Sequence, residues 1–182
     1  MDTREQITTW VDTNREYLIE TANEIFKHPE ISLEEKVSSK ILADYLEKQG
    51  FTVTWGLAGF ETAFVAEWGH GEPVLGFLAE YDALPGLGQE TCSTRKAIEG
   101  PGHGCGHNLL GTACAGAAGA LKSWMETEER EGTIRVYGCP AEEIVIGKIR
   151  MNEAGVFDDL SAAITWHPFD RNRVRNDILQ AQ

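Results

Sequence analysis

Apolar residues recur mainly at spacings of three and four over residues 4–27, where Ile7, Trp10, Val11, Tyr17, Leu18, Ala22, Ile25 and Phe26 alternate with acids and arginines. That period predicts an amphipathic helix, ended at His28 because the following Pro29 disfavours helical backbone in the residue before it. A second helix is expected to open at Ser32, with Glu35 completing a capping box. Val37, Ile41, Leu42, Tyr45 and Leu46 line its apolar face, and Gly50 stands where a left-handed stop belongs. Both helices read as scaffold.

The pattern then shortens. Residues 51–55, 62–68 and 74–79 read as strands, the last of them (VLGFLA) apolar almost throughout, as in a strand covered on both faces. A loop rich in Gly and Pro follows, from about residue 81 to 106. Residues 108–126 predict a helix whose run LLGTACAGAAGAL offers a face for close packing. Residues 133–138 predict a strand, 148–153 a short helix, and 162–166 an apolar strand. Strands alternating with helices imply an α/β fold with a largely parallel sheet. There is no internal repeat and no low-complexity segment.

Composition narrows the function classes. The 182 residues carry 16 Lys+Arg against 29 Asp+Glu, a net charge of −13, with 42% hydrophobic residues. This is globular composition, long enough for one domain or slightly more. Such acidity argues against unaided binding to nucleic acid or to an anionic membrane, which needs clustered Lys and Arg. No apolar run approaches the ~20 residues of a membrane-spanning helix. The start, MDTREQITTW, lacks the basic and apolar regions of a secretory signal, so a cytoplasmic location is expected. Cys92, Cys105, Cys114 and Cys139 are then expected as reduced thiols, either packing groups or metal ligands.

Three places carry candidate chemistry, each beside a predicted strand end or helix start, the edge where open α/β sheets bind ligands. In GHGCGHN (102–108), Cys105 and His107 are two apart among glycines that let both side chains turn toward one centre. Thiolate and imidazole together suit Zn²⁺ and accept Mn²⁺ or Co²⁺, against the plainer reading of a Gly-rich turn. Glu142 and Glu143 follow a strand directly, where one carboxylate can bind a metal while its neighbour takes a proton from water; an isolated acidic pair is more often solvated. His167 lies at the end of the last strand, where a lone histidine is usually structural. Asp82 closes the strand at 74–79, in position to orient a ligand histidine or simply to make a turn. Glu80 could also approach a metal, although a glutamate at a strand end is commonly solvated. No G-x-S-x-G, G-x-G-x-x-G or Walker pattern is present, which disfavours a serine hydrolase and nucleotide binding.

Taken in order, AEYDALPG, GPGHGCGHNLLG, CPAEE and TWHP resemble the signature of the metal-dependent amidohydrolases that include aminoacylase, hippurate hydrolase and indole-acetyl-amino-acid hydrolase. The resemblance runs from His28 to about Asn172 and is strongest to the subgroup acting on p-aminobenzoyl-glutamate. It implies a zinc-peptidase-like α/β catalytic domain with two divalent metal ions, Mn or Zn, and hydrolysis of the amide bond of N-acyl amino acids. Carried over by position, Cys105 bridges the metals, His107, Glu143 and His167 complete the ligands present, Glu142 is the general base, and Asp82 is the acid behind the metal site.

Two departures from the family pattern stand out. Glycines are expected after the acidic pair, whereas this chain has Ile144, Val145 and Ile146, which could narrow the loop. The chain also stops soon after His167, before the family's smaller dimerisation or lid domain and its last histidine ligand. Residues 1–170 are therefore expected to be the N-terminal part of a catalytic domain and 171–182 a divergent tail. An exposed strand edge and poor solubility or obligate association are expected to follow. The full-length family form implies a homodimer or a companion subunit. Two readings compete with the enzyme: an inactive metal-binding remnant or interaction partner of an intact homologue, and a structural zinc site at Cys105 and His107.

Overall fold

The computed structural model describes residues 1–171, so the tail expected at 171–182 lies outside the described residues except for Arg171. The elements are α1 (Thr3–Thr13), α2 (Arg15–Lys27), α3 (Lys36–Lys48), β1 (Thr52–Trp55), β2 (Phe64–His70), β3 (Val74–Glu80), α4 (His107–Thr127), β4 (Gly132–Cys139), α5 (Gly147–Glu153) and β5 (Ala162–Ile164). None of the described helices is long and apolar enough to cross a membrane.

The first expected helix is two. Asn14, at φ −95° and ψ 6°, separates α1 from α2, and its side-chain amide donates to the Trp10 carbonyl at 2.9 Å. Such local side-chain bonding competes with the helical ladder, a conflict that apolar spacing does not register. The capping box is also replaced. Helix α3 begins at Lys36, and Glu30 is the residue that caps it, accepting the Val37 and Ser38 N–H groups at 3.0 and 2.8 Å. Ser32 and Glu35 turn inward instead, to partners described below. Gly50 is left-handed, with φ +86°, immediately past the end of α3.

The five strands lie in the order β1-β2-β4-β3-β5. The α/β layering agrees with expectation, but the sheet is mixed. β1 and β2 pair antiparallel, as do β2 and β4, while β3 runs parallel to both β4 and β5. Connection length explains the division: a short turn between β1 and β2 allows only an antiparallel pair, whereas β3 reaches β4 through the long loop and α4. The functional consequence is that β3, β4 and β5 send their C-terminal ends to one edge.

One face of the sheet packs Phe64, Ala66, Phe77, Ala79, Ile134 and Val136 against Ile25, Leu42, Leu46, Leu110 and Ala118 from the helices. Helix α4 approaches β3 so closely that a Cβ on Gly111 would stand 2.5 Å from the Glu80 carbonyl oxygen. That contact fixes the start of α4 against the end of β3. The other face holds a smaller cluster of Ala63, Tyr137, Cys139 and Met151. β5 sits at the end of the sheet with all three residues exposed.

Candidate metal centre

His107 is the first residue of α4, placed there by Gly106 at φ +82°. It is fully buried, and each ring nitrogen faces a different environment. Nδ1 lies 2.9 Å from Asp82 Oδ1 and 3.0 Å from the Asp82 carbonyl, both acceptors, which assigns the proton to Nδ1. Nε2 therefore presents its lone pair toward Glu80 Oε2 at 3.1 Å and Glu142 Oε2 at 3.8 Å, and has no hydrogen-bond partner among the described residues. A carboxylate that holds one imidazole nitrogen leaves the other oriented for a metal.

Asp82 organises more than the histidine. Its Oδ2 accepts the Ser32 hydroxyl at 2.7 Å and the Glu143 N–H at 3.0 Å. Burial alone would raise its pKa, but these donors and His107 outweigh burial and hold the carboxyl below the usual range. Burial would likewise discourage the His107 imidazolium, yet Asp82 and Glu80 prevail and shift its pKa upward.

The turn after β4 presents the acidic pair. Its backbone is constrained: Ala141 and Val145 are left-handed at φ +56° and +57°, and a Cβ on Gly147 would meet the Pro140 carbonyl oxygen at 1.7 Å. Glu143 is the more enclosed carboxylate, its side chain 14% exposed against 34% for Glu142. Glu143 Oε1 is buried without a hydrogen-bond partner among the described residues. Burial, with the neighbouring charges of Asp82 and Glu142, raises the Glu143 pKa despite His107 and Cys105. Of the three residues expected to narrow this loop, Ile144 and Val145 are exposed and Ile146 is half-buried.

Cys105 Sγ and His167 Nε2 stand 3.1 Å apart on the open side of the cluster, and the His107 and His167 rings meet edge-on with centroids 5.9 Å apart. Burial and then Glu143, Glu142 and Glu80 push the Cys105 thiol up to about 11. A divalent cation held here would reverse that balance, because it would favour the thiolate and offset the crowded carboxylates. The ligand atoms of Cys105, His107 and His167 lie within 4.8 Å of one another, as do those of Glu80, His107 and Glu142. With two buried acceptors lacking partners, the donor set fits divalent metal.

Asp82, Cys105, His107, Glu142, Glu143 and His167 thus gather at one sheet edge, with Asp82 behind His107 and Glu143 Oε1 3.9 Å from His107 Nδ1. Glu80 departs from the solvated role expected of it. It is 6% exposed, and its Oε1 pairs with Lys148 while its Oε2 faces His107. Ser32, Glu35 and Lys148 were not apparent as site residues, because nothing in a run such as HPEISLEE distinguishes an inward serine from a helix cap. His103, in the glycine-rich motif, binds the Ile25 carbonyl at 3.3 Å and so ties the loop to α2.

Residues 76–176 match the model of peptidase family M20/M25/M40. The chain belongs to that family. It is 47% identical over 161 residues to a p-aminobenzoyl-glutamate hydrolase subunit of Escherichia coli (strain K12), a match covering 87% of this chain and 34% of that protein. It is 33% identical over 178 residues to the Xaa-Arg dipeptidase of Homo sapiens, covering 89% of this chain and 38% of that one. The M20 chain described here therefore spans about a third of the length of these relatives. A dinuclear metal-binding peptidase of the M20 family from Bacillus subtilis superimposes with a TM-score of 0.71 at 29% identity, over 84% of this chain and 42% of the other.

Proposed function

We propose that this chain is the N-terminal part, residues 1–170, of the catalytic domain of a cytoplasmic metal-dependent amidohydrolase. Its substrates are N-acyl amino acids, specifically p-aminobenzoyl-glutamate, cleaved to p-aminobenzoate and glutamate. The observation that carries the reading is His107, held by Asp82 at Nδ1 and unpartnered at a buried Nε2 amid acidic and thiol groups.

In this reading Cys105, His107, Glu143 and His167 would hold two divalent ions, Mn or Zn. When bound, the ions lower the pKa of water and polarise the scissile carbonyl. Glu142, the more exposed member of the pair, takes the proton from the attacking water and delivers it to the leaving amine. Asp82 keeps the His107 ring in its ligating tautomer. A homodimer partner or companion subunit completes the working form, consistent with the Escherichia coli relative being one subunit of its hydrolase. The open Cys105–His167 side supports a second reading, in which this chain by itself binds metal without turnover.

The test is release of p-aminobenzoate from p-aminobenzoyl-glutamate by the purified chain supplied with Mn²⁺, with Glu142→Gln alongside. Turnover lost in the variant, with metal content retained, is the expected result. Folded, metal-loaded protein without turnover would favour the second reading, and loss of metal in Glu142→Gln would reverse the roles of Glu142 and Glu143.

A further inference from the structure

The segment from Glu30 to Glu35 lies outside the metal-binding motifs, yet it grips the site at two points. Ser32 donates to Asp82 Oδ2 at 2.7 Å, and the Glu30 carbonyl accepts the Ala83 N–H at 2.8 Å. Glu35 makes the second grip. Its side chain is completely buried, and one oxygen, Oε1, accepts both the Leu33 N–H and the Ala141 N–H at 2.8 Å. Its other oxygen accepts the Thr62 hydroxyl at 3.2 Å.

Both backbone donors belong to left-handed residues that are not glycine: Leu33 has φ +73° and Ala141 has φ +56°. Such backbone persists only where its surroundings over-determine it. Ala141 immediately precedes Glu142 and Glu143, and its carbonyl accepts the Ile146 N–H at 3.2 Å, closing the turn that carries the pair. Among the described residues no cation compensates the buried Glu35 carboxylate. Burial raises its pKa, which its backbone hydrogen bonds only oppose. A costly buried acid with this bonding pattern is explained by what it holds in place.

We propose that Glu35 is a positioning residue of the metal centre: by accepting the Ala141 N–H, it fixes the left-handed turn that presents Glu142 and Glu143. The role rests on hydrogen-bond acceptance, not on charge. Glutamine at this position keeps an oxygen for both backbone N–H groups and turns its amide toward the Thr62 hydroxyl. Methionine fills similar space and accepts neither bond. The consequence for metal affinity rests on the function proposed above, whereas the grip on Ala141 does not.

The experiment has two readouts on the full chain. Mn²⁺ affinity, measured by calorimetry on folded protein, is expected to fall about ten- to a hundred-fold in Glu35→Met, as for other groups that orient metal ligands, and to stay close to wild type in Glu35→Gln. Amide hydrogen exchange, followed by NMR without metal, is expected to show Ala141 protected in wild type and Glu35→Gln. Unchanged affinity in folded Glu35→Met, even with a lower melting temperature, would overturn the proposal by making Glu35 structural only. An equal loss in Glu35→Gln would overturn it in favour of a charge effect. Should Glu35→Met fail to fold, wild-type exchange at Ala141 decides: the rate of an unprotected loop amide would overturn the proposal. Wild type that binds no Mn²⁺ would sink the metal reading separately, leaving exchange at Ala141 in the wild type and Glu35→Gln to judge the grip.

Discussion

Cys105 and His107 are two residues apart, but they stand in opposite kinds of environment. His107 is fully buried, fastened by Asp82, which is fastened in turn by Ser32 and the Glu143 N–H. Cys105 faces His167, an exposed residue beyond a three-residue strand at the end of the sheet. One side of the centre is built by hydrogen bonds that exist without metal. The other brings donors together with little beneath them. Adjacency in a motif therefore does not imply equal preorganisation. On the closed side the donor groups are held by the same bonds that hold the fold; on the open side few such bonds hold them.

That contrast can be broken by substitution. Asp82→Ala leaves the Ser32 hydroxyl, the Glu143 N–H and the His107 ring without their acceptor, and should cost about 3 kcal/mol in urea unfolding of metal-free protein. A loss near zero would show the closed side to be no better built than the open one. Linkage sharpens the same point: Mn²⁺ at a hundred times its dissociation constant should stabilise the wild type by about 2.7 kcal/mol, an increment that EDTA removes and that is absent from His107→Ala.

A smaller effect is expected at the turn. Val145 is a β-branched residue at φ +57° and 68% exposed, so Val145→Gly should relieve strain and gain about 1 kcal/mol, read as a higher melting temperature. The smallest is on the open side: His167→Ala should change metal-free stability by less than about 0.5 kcal/mol while weakening Mn²⁺ binding, which separates ligand from scaffold.

Much of this was legible in the sequence, for identifiable reasons. The apolar period of residues 36–48 and the small-residue run of α4 give helices because each buries a defined face, and the run VLGFLA gives a covered strand. Each chemistry-bearing residue has a plainer structural reading by itself, and what singles them out is the order of AEYDALPG, GHGCGHN, CPAEE and TWHP along the chain. What stayed hidden depends on distant partners. Glu35 looks like a capping residue until Ala141, 106 positions away, is seen to donate to it. Glu80 looks solvated until Lys148 and His107 are seen against it. The antiparallel half of the sheet follows from loop geometry, which apolar patterning does not encode. The break at Asn14 arises from one side-chain amide within an otherwise continuous apolar period.

Calorimetric titration of metal-free chain with Mn²⁺ and Zn²⁺, with His107→Ala in parallel, decides whether this sheet edge is a divalent-metal centre. Saturable binding of two ions is expected in the wild type, and its loss in the variant. Folded wild type that binds neither ion, or His107→Ala that binds as the wild type does, would contradict it.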